Sequence, residues 1–198
     1  MIFNTSAIVT KTADYKESDK VVRLFTVDGG MIQAVLKGVK KRDAKLKFAA
    51  QPFAFCEFSL CERNGFYTVT GAVPVESFYA LTAEPGRFFC ASLMLETADR
   101  AVSDIPSPAV FVYLLKIFKA LLYQNADPAA AAALFLLRLI ENAGFMQITN
   151  SDELQNLTPE SLPDGSGGIH KYMPLLKKLI LSFEKQFEVA LKAAKLFE

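Results

Sequence analysis

Six cations, Lys37, Lys40, Lys41, Arg42, Lys45 and Lys47, fall within eleven residues, and only Asp43 opposes them there. Charges packed this densely repel one another, and a polyanion relieves the repulsion. The chemistry they suit is therefore contact with phosphates rather than proton transfer. Four aromatic residues, Phe53, Phe55, Phe66 and Tyr67, follow on stretches that alternate as strands do. Rings held on strands can present faces on which unpaired bases stack. Most such rings belong to a core; one or two are expected at the surface, with Phe66 and Tyr67 ranked ahead because they follow on a turn. The predicted nucleic-acid contacts are thus the six cations together with Phe66 and Tyr67.

Other chemistries have less support. His170 is the only histidine, so a Ser-His-Asp arrangement would rest on that one residue. The stretch Asp164-Gly165-Ser166-Gly167-Gly168 contains neither a nucleophile elbow nor a phosphate loop with its following Lys and Ser/Thr, and reads as a flexible connector. Asp14, Glu17 and Asp19, around Tyr15, have no calcium-loop spacing and read as a solvated turn between strands. Cys56, Cys61 and Cys90 are odd in number, form no Cys-x-x-Cys pair, and read as reduced thiols. A four-ligand zinc site would have to gather all three and the lone histidine. No catalytic residue, metal or cofactor is expected.

The elements that must position these residues belong to a packed protein. The 198 residues are 52% apolar and 22% charged with only 10 Gly and 9 Pro, which excludes disordered, collagenous and low-complexity classes. The longest apolar run, Ala129 to Leu137, stops at Arg138, well short of the roughly 20 residues that span a bilayer. No membrane segment and no export leader is recognised, so a cytoplasmic location is the expectation. Residues 1–80 hold 11 Lys/Arg against 8 Asp/Glu, and the remainder 11 against 13, so the net charge of +1 conceals a basic first part.

Two textures divide the chain. Ser6–Lys11, Lys20–Val27, Met31–Val39, Pro52–Glu62 and Phe66–Thr70 read as strands, punctuated by Asp28-Gly29-Gly30 and Asn64-Gly65 as hairpin turns. Past Leu81 the spacing predicts helices from Pro85 to before Ser103, from Pro108 to about Gln124, and from Pro128 to Ala143, with Ser107 and Asp127 as caps. Gln147–Ile169 reads as a loop with at most one helical turn. A last helix, starting near Lys171 to Pro174, places Leu176, Ile180, Phe183, Phe187 and Leu191 on one face and lysines on the others. The predicted fold class is α+β: a five-stranded OB-fold β-barrel over residues 1–80, then an all-helical domain over 81–198. Five short strands fit a small barrel better than a sandwich of about seven.

Ala7-Ile8-Val9, Asp14-Tyr15-Lys16-Glu17-Ser18-Asp19-Lys20, Leu24-Phe25-Thr26, Val35-Leu36-Lys37-Gly38-Val39-Lys40-Lys41 and Gln51-Pro52-Phe53 resemble the N-terminal domain of the bacterial RecO family. The resemblance is specific over residues 1–80 and looser beyond. It implies an OB-fold followed by helices, and a recombination mediator that catalyses no reaction and uses no cofactor. Members bind single- and double-stranded DNA, anneal complementary strands, and work with RecR to load RecA onto DNA coated by single-strand-binding protein. By motif position, Lys37, Lys40, Lys41, Arg42, Lys45 and Lys47 fall on the family's basic DNA-binding stretch. Many members insert a four-cysteine zinc module where this chain has the cysteine-free loop at about 147–170. The family also binds the acidic, apolar-tipped tail of single-strand-binding protein, which a helical domain with a lysine-rich last helix suits. The implied location is the bacterial cytoplasm, at the nucleoid. The competing expectation is a protein-interaction adaptor that uses the barrel only as scaffold and binds no DNA.

Overall fold

A computed structural model describes residues 1–102, 106–145, 152–167 and 171–197. The alternating stretches form five strands: β1 (Ile2–Tyr15), β2 (Asp19–Thr26), β3 (Gly30–Leu36), β4 (Ala54–Arg63) and β5 (Phe66–Ser77). They close into a barrel in the order β1-β2-β3-β5-β4, antiparallel throughout except for the parallel pair of β3 with β5. This is the predicted OB-type barrel. Its turns follow from local chemistry. Gly30 and Gly65 take φ values of 67° and 77°, with Asn64 at 52°, the left-handed values that tight hairpins demand. Thr26 Oγ1 ties the first turn by accepting from Gly29 N–H and donating to Gly30 O, both at 2.9 Å. Bulges between Val9 and Lys11 and between Ser59 and Leu60 add the local bend that closure needs.

One set of alternating residues fills the barrel: Ala7 and Val9 of β1, Val22 and Leu24 of β2, Ala34 and Leu36 of β3, and Cys56, Phe58 and Leu60 of β4. Val39, Ala49 and Ala50, from the connection between β3 and β4, join them. Strands β1 and β5 are longer than their apolar runs predict, because ladder pairing runs to their ends: β1 pairs with β4 through its first half and with β2 through its second, and β5 pairs with β4 from Phe66 to Ser77. Phe53 departs from expectation in its backbone only, since the sequence pattern places it within a strand Pro52–Glu62. It lies before β4, with φ of 70° and only 3% exposure, so its ring is core and no stacking platform.

The helices are α1 (Pro85–Ala101), α2 (Pro108–Tyr123), α3 (Pro128–Asn142), a single turn α4 (Asp152–Gln155) and α5 (Met173–Phe187). Met1–Tyr79 forms the body of one compact unit, while Ala80–Ala101 and Ala109–Glu198 form the other. Helix α3 is buried along nearly its whole length and packs against α1 and α5. Its start is capped by Asp127, whose Oδ1 accepts from Ala130 N–H at 2.7 Å, with Pro128 in the first turn. Its end is closed by Gly144 at φ 82°. Burial holds the Asp127 carboxyl above the usual carboxylate value, with the cap hydrogen bonds pulling it back down.

Two expectations change here. The stretch after α3 is more structured than a loop: besides α4, it has 3₁₀ turns at Pro159–Ser161 and Gly165–Gly167. It is pinned to the α2–α3 corner by Asp127 N–H to Pro163 O at 2.8 Å, Gly165 N–H to Asn125 O at 2.7 Å, and Asn125 Nδ2 to Asp164 Oδ1 at 2.8 Å. Asp164 also accepts from Ser166 Oγ, so this part of the glycine-rich stretch is a fitted corner piece rather than a flexible connector. A Cβ on Gly165 would meet Asn125 O at 3.1 Å, which explains the glycine. Residues 146–151 and 168–170, including His170, lie outside the described residues. Helix α5 ends at Phe187, where Glu188 turns left-handed at φ 52°, so Leu191 is buried from a separate segment rather than from the helix. That segment is held by Glu96 of α1, a carboxylate 7% exposed, which accepts from Lys192 N–H at 3.1 Å and Ala193 N–H at 2.8 Å.

Candidate nucleic-acid interface

All six cations of the basic segment are exposed, while Val39, Ala49 and Ala50 of the same segment are buried and Leu46 packs on the barrel core. Apolar residues thus fasten the segment and leave its charges in water. It is folded by its own turns, Lys41 N–H to Gly38 O and Ala44 N–H to Lys41 O, both at 3.2 Å. Gly38 sits at φ 65°. The acids that read as a solvated turn have a definite task. Asp19 Oδ1 accepts from Gly38 N–H at 2.7 Å, Lys40 N–H donates to Ser18 O at 2.9 Å, and Asp14 Oδ2 pairs with Lys40 Nζ at 3.0 Å. The hydrogen bond from Lys40 holds Asp14 below the usual carboxylate value, and the Gly38 amide does the same for Asp19. The β1–β2 hairpin is therefore a brace for the basic segment.

That brace uses up part of the charge. Lys40 is paired with Asp14, whereas Lys47 Nζ donates to the neutral carbonyl Arg42 O at 2.6 Å and keeps its charge. Among the described residues, no carboxylate lies within 4.0 Å of Lys37, Lys41, Arg42 or Lys45. With Lys47, five exposed cations on a braced support have no ion pair among the described residues, and they are suited to a run of phosphates.

Phe66 and Tyr67 occupy opposite faces of β5, as consecutive strand residues must. Phe66 is 77% exposed; Tyr67 is half-buried, packs on the barrel core and meets Phe3 edge-on at 6.2 Å between centroids. Phe66→Ala is expected to leave the melting temperature unchanged, whereas Tyr67→Ala lowers it by several degrees, since only the second opens a gap beside the core. Thermal melts of the two variants check this.

The chain matches the family model for the recombination protein O N-terminal domain over residues 1–78 and that for its C-terminal domain over residues 83–156. It belongs to the RecO family. Among curated relatives, the DNA repair protein RecO of Heliobacterium modesticaldum is 35% identical over 144 residues, covering 73% of this chain and 52% of that protein. That of Clostridium novyi is 34% identical over 149 residues, covering 73% and 57%. That of Caldicellulosiruptor bescii is 26% identical over 155 residues, covering 78% and 64%. The chain thus spans little more than half the length of the first two.

Within the RecO family match, the remaining reactive residues stay apart. Cys56 lines the barrel interior and Cys90 lies buried in α1, while Cys61 is half-buried on β4. Among the described residues, no group of three His, Cys, Asp or Glu side chains is placed to hold a metal ion. Burial pushes the Cys56 thiol up to about 11 and raises that of Cys90 further. In a native thiol titration Cys61 is expected to react first, with the other two silent until the protein unfolds. Among the described residues no helix is long and apolar enough to cross a membrane.

The helical unit offers two apolar clefts with charged edges. One, of about 380 Å³, is lined by Val110, Tyr113, Phe135, Leu139 and Arg138, the last bonded to Glu141 at 2.8 Å and to Gln155 O at 2.9 Å. The other, of about 290 Å³, lies between Ile180 and Leu181 of α5 and Leu191, with Lys177, Glu184 and Lys195 also lining it.

Proposed function

We propose that this chain is a DNA-repair mediator of the RecO type, which binds single- and double-stranded DNA through the segment Lys37–Lys47 and brings complementary strands together without catalysing a reaction. The observation that carries the reading is the braced run of exposed cations in which Lys37, Lys41, Arg42, Lys45 and Lys47 have no ion pair among the described residues. Cations fixed in this way gain more from phosphates than from water, since binding releases the counterions condensed on the nucleic acid. The relatives' shared name, DNA repair protein RecO, supports the same role. Residues 1–80 serve as the DNA-binding domain in this reading, with Phe66 as an exposed ring on its flank, and 81–198 as the partner-binding domain. The partners are RecR, through it RecA, and the acidic tail of single-strand-binding protein, for which the clefts at Arg138 and at Lys177 and Lys195 have suitable chemistry. The site of action is the nucleoid in the cytoplasm.

Fluorescence anisotropy of labelled single-stranded and duplex oligonucleotides at low salt tests the reading. Saturable binding to both is expected. An adaptor that uses the barrel only as scaffold would bind neither.

A further inference from the structure

We propose that Tyr15 and Phe48 are the stacking residues of the basic segment and make it favour unpaired bases over duplex. The inference rests on the DNA-binding reading above. Tyr15 ends β1 directly opposite Asp19 in the ladder, and Asp19 is the residue that accepts from Gly38 N–H. Residues directly opposite share a face of the sheet, so the Tyr15 ring stands on the same face as the Asp19 carboxylate that holds Gly38 N–H, while its neighbour Asp14, on the other face, holds Lys40. It is 42% exposed, and Lys16 Nζ lies 5.2 Å from its centroid, bringing a further cation to the ring. Phe48 follows Lys47 in a 3₁₀ turn whose Ala49 and Ala50 are buried. The buried half of that turn seats it on the barrel and leaves Phe48 36% exposed among the cations.

Both rings are large apolar surfaces left partly in water within a strongly charged segment. A base covers such a ring while its phosphate meets the neighbouring lysine. A duplex keeps its bases stacked inside and offers only phosphates, so the rings contribute to single strands alone. Phe66 is less well placed for this task. Tyr67 pairs with Ala34, which sets Phe66 level with Gln33, four residues before Lys37 and about 13 Å from it along the strand.

The test compares the full chain with a variant carrying Tyr15→Ala and Phe48→Ala. Each is titrated at low salt with labelled oligothymidylate and with a strand of equal length whose sites are abasic. Wild type is expected to bind the abasic strand at least tenfold more weakly. The variant is expected to bind both strands alike, with oligothymidylate affinity reduced about tenfold or more and the salt slope unchanged. If the double variant melts early, Tyr15→Leu and Phe48→Leu keep apolar bulk without an aromatic face and are expected to give the same loss; Tyr15→Phe is expected to restore binding. A variant that keeps the full preference for bases over abasic sites overturns the assignment of these rings. Wild type that binds neither strand overturns the DNA-binding reading and this inference with it.

Discussion

Charge reversal at Lys41, Arg42 and Lys45 together is expected to weaken single-strand binding by about 100-fold at low salt while leaving the fold intact. The choice of residues follows from the brace. Lys40 is held by Asp14 at 3.0 Å, so a glutamate there would place two carboxylates together and disturb the β1–β2 hairpin as well as the DNA contact. Lys47 is committed to Arg42 O. Lys41, Arg42 and Lys45 are exposed and have no ion pair among the described residues, so their reversal removes phosphate contacts and little else. Each lost contact takes away the release of about 0.7 counterion from a single strand, and each new carboxylate adds repulsion. Anisotropy titrations give the affinity and circular dichroism checks the fold. Affinity within twofold of wild type would remove the segment from the interface.

The largest effect on stability is expected from Glu96→Ala. The carboxylate of Glu96 is 7% exposed and accepts from two backbone N–H groups at the head of the C-terminal 3₁₀ turn (Ala193–Phe197). Those donors are 96 and 97 residues away in sequence, so the pair closes one side of the helical unit. Hydrogen bonds to an ionised acceptor contribute roughly 1.5 to 3 kcal/mol each, and an alanine leaves a buried or half-buried donor without its partner. A loss of about 2 to 4 kcal/mol follows, or a fall in melting temperature on the order of 5 to 15 °C for a chain of this size. Glu96→Gln keeps one acceptor oxygen and is expected to fall between the two. Hydrogen exchange adds a local readout: the amides of Lys192 and Ala193 lose protection in the alanine variant before the barrel amides do. An unchanged melting temperature in Glu96→Ala would show that the C-terminal segment is held by other contacts.

Local chemistry announced the elements. Alternating residues from Ala54 to Leu60, the Asn64-Gly65 turn and Asp127-Pro128 each need only their neighbours to be interpreted, and each stands where its pattern places it. Tyr67 shows a limit within reach of the same rule: period-two alternation already puts Phe66 and Tyr67 on opposite faces, so the two could not both be exposed. Phe53 shows a harder one. Its left-handed backbone and buried ring are imposed by hydrogen bonds from its N–H to Val9 O and to its carbonyl from Phe78 N–H, and both partners are distant in sequence. The site itself was half visible. Density of charge marked Lys37–Lys47, but the partners that fix it, Asp14 and Asp19, lie about twenty residues earlier and meet it only because β2 runs back alongside β3. For the same reason Tyr15 read as part of a solvated turn, and Phe48 was lost among the charges around it.

The central claim is that exposed cations on a braced segment bind the phosphates of a single strand. The measurement closest to it is the salt dependence of that binding, taken as dissociation constants for one labelled oligonucleotide across a series from about 50 to 200 mM. About five phosphate contacts predict that log affinity falls against log salt with a slope near −3.5, and that reversal of Lys41, Arg42 and Lys45 brings it to about −1.5. A slope near zero in the wild type, or one that the reversal leaves unchanged, contradicts the account.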